Sequence, residues 1–363
     1  MKRLPVQSSR MTYPVVVGAD VLAQTGEQLQ EIGIKTGTKI AIITDTTVAH
    51  LPFVNQLTES LESAGYPFQT LVVPAGDASK SLDVAYGLYQ DLISFGMRRQ
   101  DVVLALGGGV VGDLAGFVAA TYLRGVPFIQ APTTLLSHDS SIGGKVGINL
   151  PQGKNLIGAF YPPRAVLYDL NTLSYLPERQ WVNGMAEVIK HGIIADANLF
   201  ETLAANPLTV CPPADELEPI LTAAMRVKID VVEGDEREAN LRQVLNLGHT
   251  IGHAIEQRSN YSLGHGEAIS IGMALEARLA EKRGLLTAAH RTLITSVLAA
   301  HGLPTQAPAD DWHEIKKLIE VDKKHKSDAW TFVLPTAIGQ VQIVNDIRPQ
   351  EVEDVVRESM KGV

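Results

Sequence analysis

Cysteine is almost missing from this chain: Cys211 is the one thiol in 363 residues. A single thiol excludes an internal disulfide and any cysteine-rich zinc site, so a metal would have to be held by histidines and carboxylates. Such usage fits a reducing compartment. Basic residues are outnumbered, 31 against 40 acidic ones, and the net charge of −9 argues against a nucleic-acid partner, which would need a basic face. Long hydrophobic runs are also missing. The most membrane-like stretch, Val102 to Leu123, carries Asp113 and five glycines and is broken at Gly107-Gly108-Gly109, so strand, loop and helix explain it better than a bilayer span. Lys2 and Arg3 are followed by Pro5, Gln7, Ser8, Ser9 and Arg10, without the apolar core of a signal peptide. We expect a soluble cytoplasmic protein with neither nucleic acid nor membrane as partner.

What is present is an ordinary globular composition, 45% hydrophobic, 20% charged and 6% aromatic, too apolar for a disordered chain. The length suggests two domains, each with its own core. Up to about residue 177, short apolar runs (Ile40 to Thr44, Thr70 to Val73, Val102 to Leu106, Pro127 to Ala131, Ala165 to Tyr168) alternate with helical patterns such as Leu82, Ala85, Leu88, Tyr89, Leu92 and Ile93, and Asp113 to Tyr122. That alternation implies a mostly parallel sheet covered by helices. After Leu176-Pro177 the period is helical around 178–191, 215–233, 241–257, 265–283, 287–300 and 311–321, with strand candidates only at Trp330 to Leu334 and Val341 to Val344. The expectation is an α/β fold: an N-terminal nucleotide-binding domain over 1–177, a mainly α-helical domain over 178–363, and the active site in the cleft between them.

Glycine is unevenly spread. Residues 107 to 158 hold eleven glycines in fifty-two positions, where average usage would give roughly four. The densest piece, Gly107-Gly108-Gly109-Val110-Val111-Gly112-Asp113, follows a strand and opens a helix, where free N–H groups and the helix dipole would hold a pyrophosphate. A tight strand-to-helix turn without a ligand would use the same residues, and the spacing is not the usual G-x-G-x-x-G.

Four histidines stand out. His249 and His253 are four apart on one helix face, and His265 follows nearby, which is metal-ligand geometry; a histidine pair on a polar helix face is the plainer reading. His191 shares a helix face with Glu187 and Lys190. Glu187 sits among apolar neighbours, and a carboxylate there needs either a salt bridge to Lys190 or a cation. Lys145, Lys154, Lys190, Lys228, Arg242, Lys323 and Lys324 lie in or beside the glycine-rich loops or the histidine-bearing helices. A substrate with a phosphate and a carboxylate would use several such cations together.

Six blocks, in order, carry a resemblance: residues 107–125, Pro-Thr-Thr-Leu-Leu (132–136), Asp-Ser-Ser-Ile-Gly-Gly-Lys (139–145), Gly-Lys-Asn-Leu-Ile-Gly-Ala-Phe (153–160), Asn-Gly-Met-Ala-Glu-Val-Ile-Lys (183–190) and Asn-Leu-Gly-His-Thr-Ile-Gly-His-Ala-Ile-Glu (246–256). Together they resemble the 3-dehydroquinate synthases, sugar phosphate cyclases that share a fold with metal-dependent polyol dehydrogenases. The resemblance implies NAD contacts at Asp45, Asp77 to Lys80, Gly108, Gly109, Val110, Asp113, Thr133, Thr134, Lys154, Thr172, Leu173, Ser174 and Tyr175. It implies Zn2+ or Co2+ ligands at Glu187, His249 and His265, and it moves His253 to proton transfer near the substrate, beside Glu238 as a second proton acceptor. Substrate contacts implied are Arg124, Asp139, Lys145, Asn155, Glu187, Lys190, Lys228, Arg242, Asn246 and one of Lys323 and Lys324, with Lys145, Lys190, Arg242 and Asn246 also placed in the catalytic set. Arg124 is implied to reach across a homodimer.

The family reaction turns 3-deoxy-D-arabino-heptulosonate 7-phosphate into 3-dehydroquinate and phosphate, in the shikimate pathway to aromatic amino acids. A ring hydroxyl is transiently oxidised by NAD, phosphate is eliminated, hydride returns, and the opened ring closes by an aldol step, which makes the enzyme a carbon–oxygen lyase. Three alternatives remain open on the residues: a cyclase acting on another sugar phosphate, a zinc-dependent polyol dehydrogenase that would release NADH, and a non-catalytic binding protein of the same fold.

Overall fold

The computed structural model describes residues 1–236, 241–310, 312–322 and 329–360. The chain divides into two compact units, Met1–Leu176 with Pro212–Glu233, and Pro177–Cys211 with Gly234–Val363. Among the described residues no helix is long and apolar enough to cross a membrane.

The first unit is built on a seven-stranded sheet. Its strands are β1 (Lys2–Gln7), β2 (Thr12–Gly18), β3 (Ile40–Asp45), β4 (Phe68–Val73), β5 (Val102–Gly107), β6 (Phe128–Pro132) and, beyond a separate antiparallel hairpin of β7 (Lys145–Leu150) and β8 (Gly153–Phe160), β9 (Ala165–Asp169). The order across the sheet is β1-β2-β9-β6-β5-β3-β4. Only the β1–β2 pair is antiparallel. Both faces are covered, and the apolar runs divide between them residue by residue: Ala41, Ile43, Val103 and Ala105 enter one core, and Ile40, Ile42, Val102, Leu104 and Leu106 enter the other. Continuous apolar strands, rather than alternating ones, are what a two-sided parallel sheet requires.

The helix Ala214–Gly234 falls almost wholly in this first unit, whereas its position in the chain places it after residue 177. Its period specifies a helix but not a partner. The ties are to distant residues: Gln7 N–H donates to Glu233 Oε1 at 2.7 Å, and Lys228 Nζ meets Asp139 Oδ2 at 2.9 Å.

The second unit is mainly helical, with the antiparallel pair β10 (Trp330–Ala337) and β11 (Gln340–Ile347). Near its C-terminal helix Pro349–Met360, Arg283 bonds Glu351 Oε1 at 2.9 Å and Asp346 Oδ1 at 2.6 Å. The hydrogen bond from Arg283 holds the Glu351 carboxyl at about 2, against partial burial that works the other way. Because the folded state favours the charged form, this contribution is complete above the ordinary carboxyl range and is lost as the pH falls toward 2. We expect Arg283→Met to flatten the pH dependence of stability between about pH 4.5 and 2 and to cost ~1–3 kcal/mol above it. Urea denaturation of both proteins across that range checks this.

Candidate active site

The carboxyl edge of the parallel sheet collects the expected nucleotide contacts. β3 ends at Asp45, β5 at Gly107, β6 immediately before Thr133, and β9 runs into a 3-10 helix, Leu170–Tyr175, that carries Thr172 to Tyr175. These strands lie side by side, and ligands of open α/β sheets bind outside such ends. The helix Gly109–Thr121 starts there with no side-chain cap on its first turn, which leaves amide donors for an anion. Gly108 is needed for packing: a Cβ would lie 2.9 Å from Thr134 Cγ2. Lys80 Nζ, nearly buried, contacts Asp113 Oδ2 at 2.7 Å and Asn155 Oδ1 at 2.5 Å, and Lys154 Nζ meets Asp77 Oδ2 at 3.2 Å. Burial raises the Asp113 carboxyl above its ordinary range, with Lys80 opposing. Asp45 Oδ1 accepts from Thr47 and Val48 amides.

The same unit holds the expected phosphate and sugar contacts Arg124, Asp139, Lys145, Asn155 and Lys228. Lys145 opens β7 with its side chain exposed, and Asn155 on β8 has φ +55°. Arg124 is exposed, at the opposite end of the helix Gly109–Thr121 from the glycine turn, a helix about 20 Å long.

In the second unit three helices bring the histidines to one carboxylate. Glu187 and Lys190 sit on Glu178–Ala195 at 2% and 1% exposure. One turn before Glu187, Asn183 Oδ1 accepts the Glu267 amide, and Arg179 meets Glu267 Oε2 at 2.7 Å, so the start of helix His265–Lys282 is fastened beside Glu187. Helix His249–Arg258 is pressed onto the same helix: a Cβ on Gly272 would lie 1.9 Å from Gly248 O, and one on Gly252 2.9 Å from Ala268 O. Gly248 has φ +80° and gives its N–H to the fully buried Glu276. Gly272→Ala should therefore cost ~1–3 kcal/mol or more by forcing the two histidine-bearing helices apart. Chemical denaturation reads it, and an unchanged midpoint would contradict this packing.

The result is a cluster in which Glu187 Oε1 lies 3.4 Å from Nε2 of both His249 and His265, while Glu187 also contacts Lys190. Glu187 thus has the ion pair with Lys190 and also faces two imidazoles. His253 belongs to the cluster as well, its ring centroid 5.1 Å from that of His249 and 5.7 Å from that of His265. His249 Nδ1 pairs with Leu247 O and His265 Nδ1 with Glu256 Oε2, leaving both Nε2 atoms toward Glu187. Burial and the Lys190 charge push His249 well below its ordinary value. Burial acts the same way on His265, but bonds to Glu187 and Glu256 outweigh it and lift the imidazole to about 9.

Arg242, 2% exposed, gives its backbone N–H to Asp235 and Nη1 to Glu236 O; Asn246 ends the 3-10 helix Leu241–Asn246, half-buried. Glu238, Lys323 and Lys324 lie outside the described residues. Sequence reasoning missed Glu256, Glu276 and the Arg179–Asn183–Glu267 bracket. For Glu256 a signal existed, since it stands seven after His249 and three after His253, on their helix face.

Residues 70–183 match the family model described as 3-dehydroquinate synthase N-terminal, and residues 184–325 the one described as 3-dehydroquinate synthase C-terminal. The 3-dehydroquinate synthase of Synechococcus sp. is 41% identical over 361 residues, 98% of each chain. That of Geobacter metallireducens is 43% identical over 358 residues, 98% of this chain and 99% of its own. The chain belongs to the 3-dehydroquinate synthase family. It is an enzyme. Among solved structures, a 2-deoxy-scyllo-inosose synthase complexed with carbaglucose-6-phosphate, NAD+ and Co2+ is similar with TM-score 0.88 and 26% identity, covering 99% of this chain and 100% of that one. A 2-epi-5-epi-valiolone synthase from Streptomyces hygroscopicus with NAD+ and Zn2+ bound has TM-score 0.86 and 28% identity, covering all of both chains. The chain also shares its fold with a glycerol dehydrogenase from Schizosaccharomyces pombe, at TM-score 0.66 and 18% identity over 96% of this chain and 88% of that one.

Proposed function

We propose that this protein converts 3-deoxy-D-arabino-heptulosonate 7-phosphate to 3-dehydroquinate and phosphate as an NAD- and divalent-metal-dependent carbon–oxygen lyase. The observation that carries the reading is the meeting of one buried carboxylate oxygen with two imidazole Nε2 atoms. A Glu and two His form an oxygen and nitrogen donor set that suits Zn2+ or Co2+ and leaves positions open for substrate oxygens. Glu187, His249 and His265 would hold the metal, which supplies Lewis acidity toward a substrate hydroxyl and the ketone derived from it. The edge made by Asp45, Asp77 to Lys80, Gly108 to Val110, Asp113, Thr133, Thr134, Lys154 and Thr172 to Tyr175 would hold NAD, which supplies reversible hydride acceptance.

The remaining roles fall to the chain's own side chains. Lys145, Asn155, Lys190 and Arg124 bind and orient the phosphate by charge-assisted hydrogen bonds, while Lys228 and Arg242 hold the carboxylate end; Asp139 and Asn246 orient hydroxyls, and one of Lys323 and Lys324 adds a further contact. His253, and Glu238 with it, receives or returns a proton close to the reacting carbon. The substrate's phosphate, a dianion while still esterified, can itself take the proton and then leave as hydrogen phosphate, so the protein's work is mainly positioning. The first domain carries the cofactor and the second the metal. We further propose a cytoplasmic homodimer in which Arg124 serves the neighbouring subunit, since it stands at the far end of its helix from its own glycine turn. Incubating purified protein with the heptulosonate phosphate and following carbon signals by NMR tests the reaction: a six-membered carbocyclic ketone should form as phosphate appears. Phosphate release without ring closure, or no reaction, would overturn it.

A further inference from the structure

His265 differs from His249 in what holds the back of its ring. His249 Nδ1 pairs with a backbone carbonyl, Leu247 O, at 3.0 Å, an acceptor that mutation does not remove. His265 Nδ1 pairs with a side chain, Glu256 Oε2, at 3.2 Å, and Glu256 is 9% exposed. Glu256 lies two helical turns from His249 on the same helix, and the His265 ring stands at the start of the next helix. One helix therefore supplies one ligand imidazole, one neighbouring imidazole in His253, and the carboxylate that faces the second ligand imidazole.

A carboxylate on Nδ1 selects the tautomer that a metal ligand needs: with Nδ1–H given to Glu256, Nε2, 3.4 Å from Glu187 Oε1, is the ring nitrogen that would coordinate a cation. It also limits rotation of a ring that is otherwise only partly buried, at 30% side-chain exposure, and makes the imidazole a stronger donor. We infer that Glu256 is a positioning residue that orients His265 through Nδ1 and thereby sets the affinity of the Glu187–His249–His265 site for a divalent metal. The inference rests on the proposed metal reading of that site.

The test is Zn2+ affinity of the full-length protein, stripped of metal and titrated in competition with a chromophoric chelator, for wild type, Glu256→Ala, Glu256→Gln and His265→Ala. Glu256→Ala should bind Zn2+ about 10–100-fold more weakly than wild type. Glu256→Gln, whose amide oxygen still accepts from Nδ1–H, should recover most of that loss, and its fold should be intact even if the alanine variant unfolds. Unfolding of the metal-free proteins separates this from a structural role, which would lower stability without a selective change in Zn2+ affinity. If His265→Ala abolishes binding while both Glu256 variants bind as wild type, the inference fails and the metal site stands. If wild type itself binds no Zn2+, the metal reading fails and the inference falls with it.

Discussion

Glu187→Gln is expected to lower turnover roughly 10³-fold, the equivalent of several kcal/mol of lost charge stabilisation, and to leave the purified protein without stoichiometric metal. Among the described residues the carboxylate is the one anionic group that meets both imidazoles, and an amide would offer a metal a weak neutral donor in place of an anionic one. A second consequence follows from burial. Lys190 is 1% exposed and contacts Glu187, so neutralising the partner leaves an ammonium group in the interior, at a cost of about 3–5 kcal/mol. The variant should therefore be both metal-poor and less stable, and Glu187→Asp should keep the charge while losing reach. Metal analysis, steady-state rates and denaturant unfolding of the three proteins separate these effects. A Glu187→Gln protein with full metal and full activity would mean that the carboxylate serves only as the partner of Lys190.

Arg124→Ala and Lys145→Ala are each expected to cost roughly ten- to a hundredfold in phosphate-dependent rate, the value of a charge-assisted hydrogen bond of about 1.5–3 kcal/mol. Mixing the two weakened proteins should then restore activity well above either parent. Arg124 follows Leu123 in the short 3-10 turn Tyr122–Arg124, where both residues have positive φ; it is exposed and remote from Gly109 along the helix. In a two-fold dimer, a residue of one chain that completes its neighbour's site gives a mixed dimer one site with both substitutions and one with neither. If the subunits exchange and no activity returns, Arg124 acts on its own subunit.

The sheet was legible because its strands are buried on both faces and read as unbroken apolar runs: Ile40 to Thr44 and Val102 to Leu106 appear as expected. The strands that escaped are of another kind. β1 alternates buried Leu4 and Val6 with exposed Arg3, Pro5 and Gln7, β2 has Pro14 ahead of a run of only three valines, and β7 and β8 form a hairpin outside the main sheet whose residues mix apolar, polar and glycine positions. The glycine turn was placed correctly at the end of β5, since three glycines after an apolar strand have few other uses.

The histidine cluster was half legible. Spacing brought His249 and His253 to one helix face, but only the close approach of three helices, at Gly248, Gly252, Gly266 and Gly272, brings Glu187 and His265 to them. That approach depends on what the glycines touch, which local sequence does not encode. The affiliation of helix Ala214–Gly234 escaped for the same reason: its partners Gln7 and Asp139 are far away in the chain.

Whether NAD is used and regenerated within each turnover is read by following phosphate release and nicotinamide absorbance together in one reaction with the heptulosonate phosphate. Steady phosphate release that requires NAD is expected, with no net change at the nicotinamide band. A rise in NADH matching the substrate consumed, without phosphate, would contradict it and make the protein a dehydrogenase.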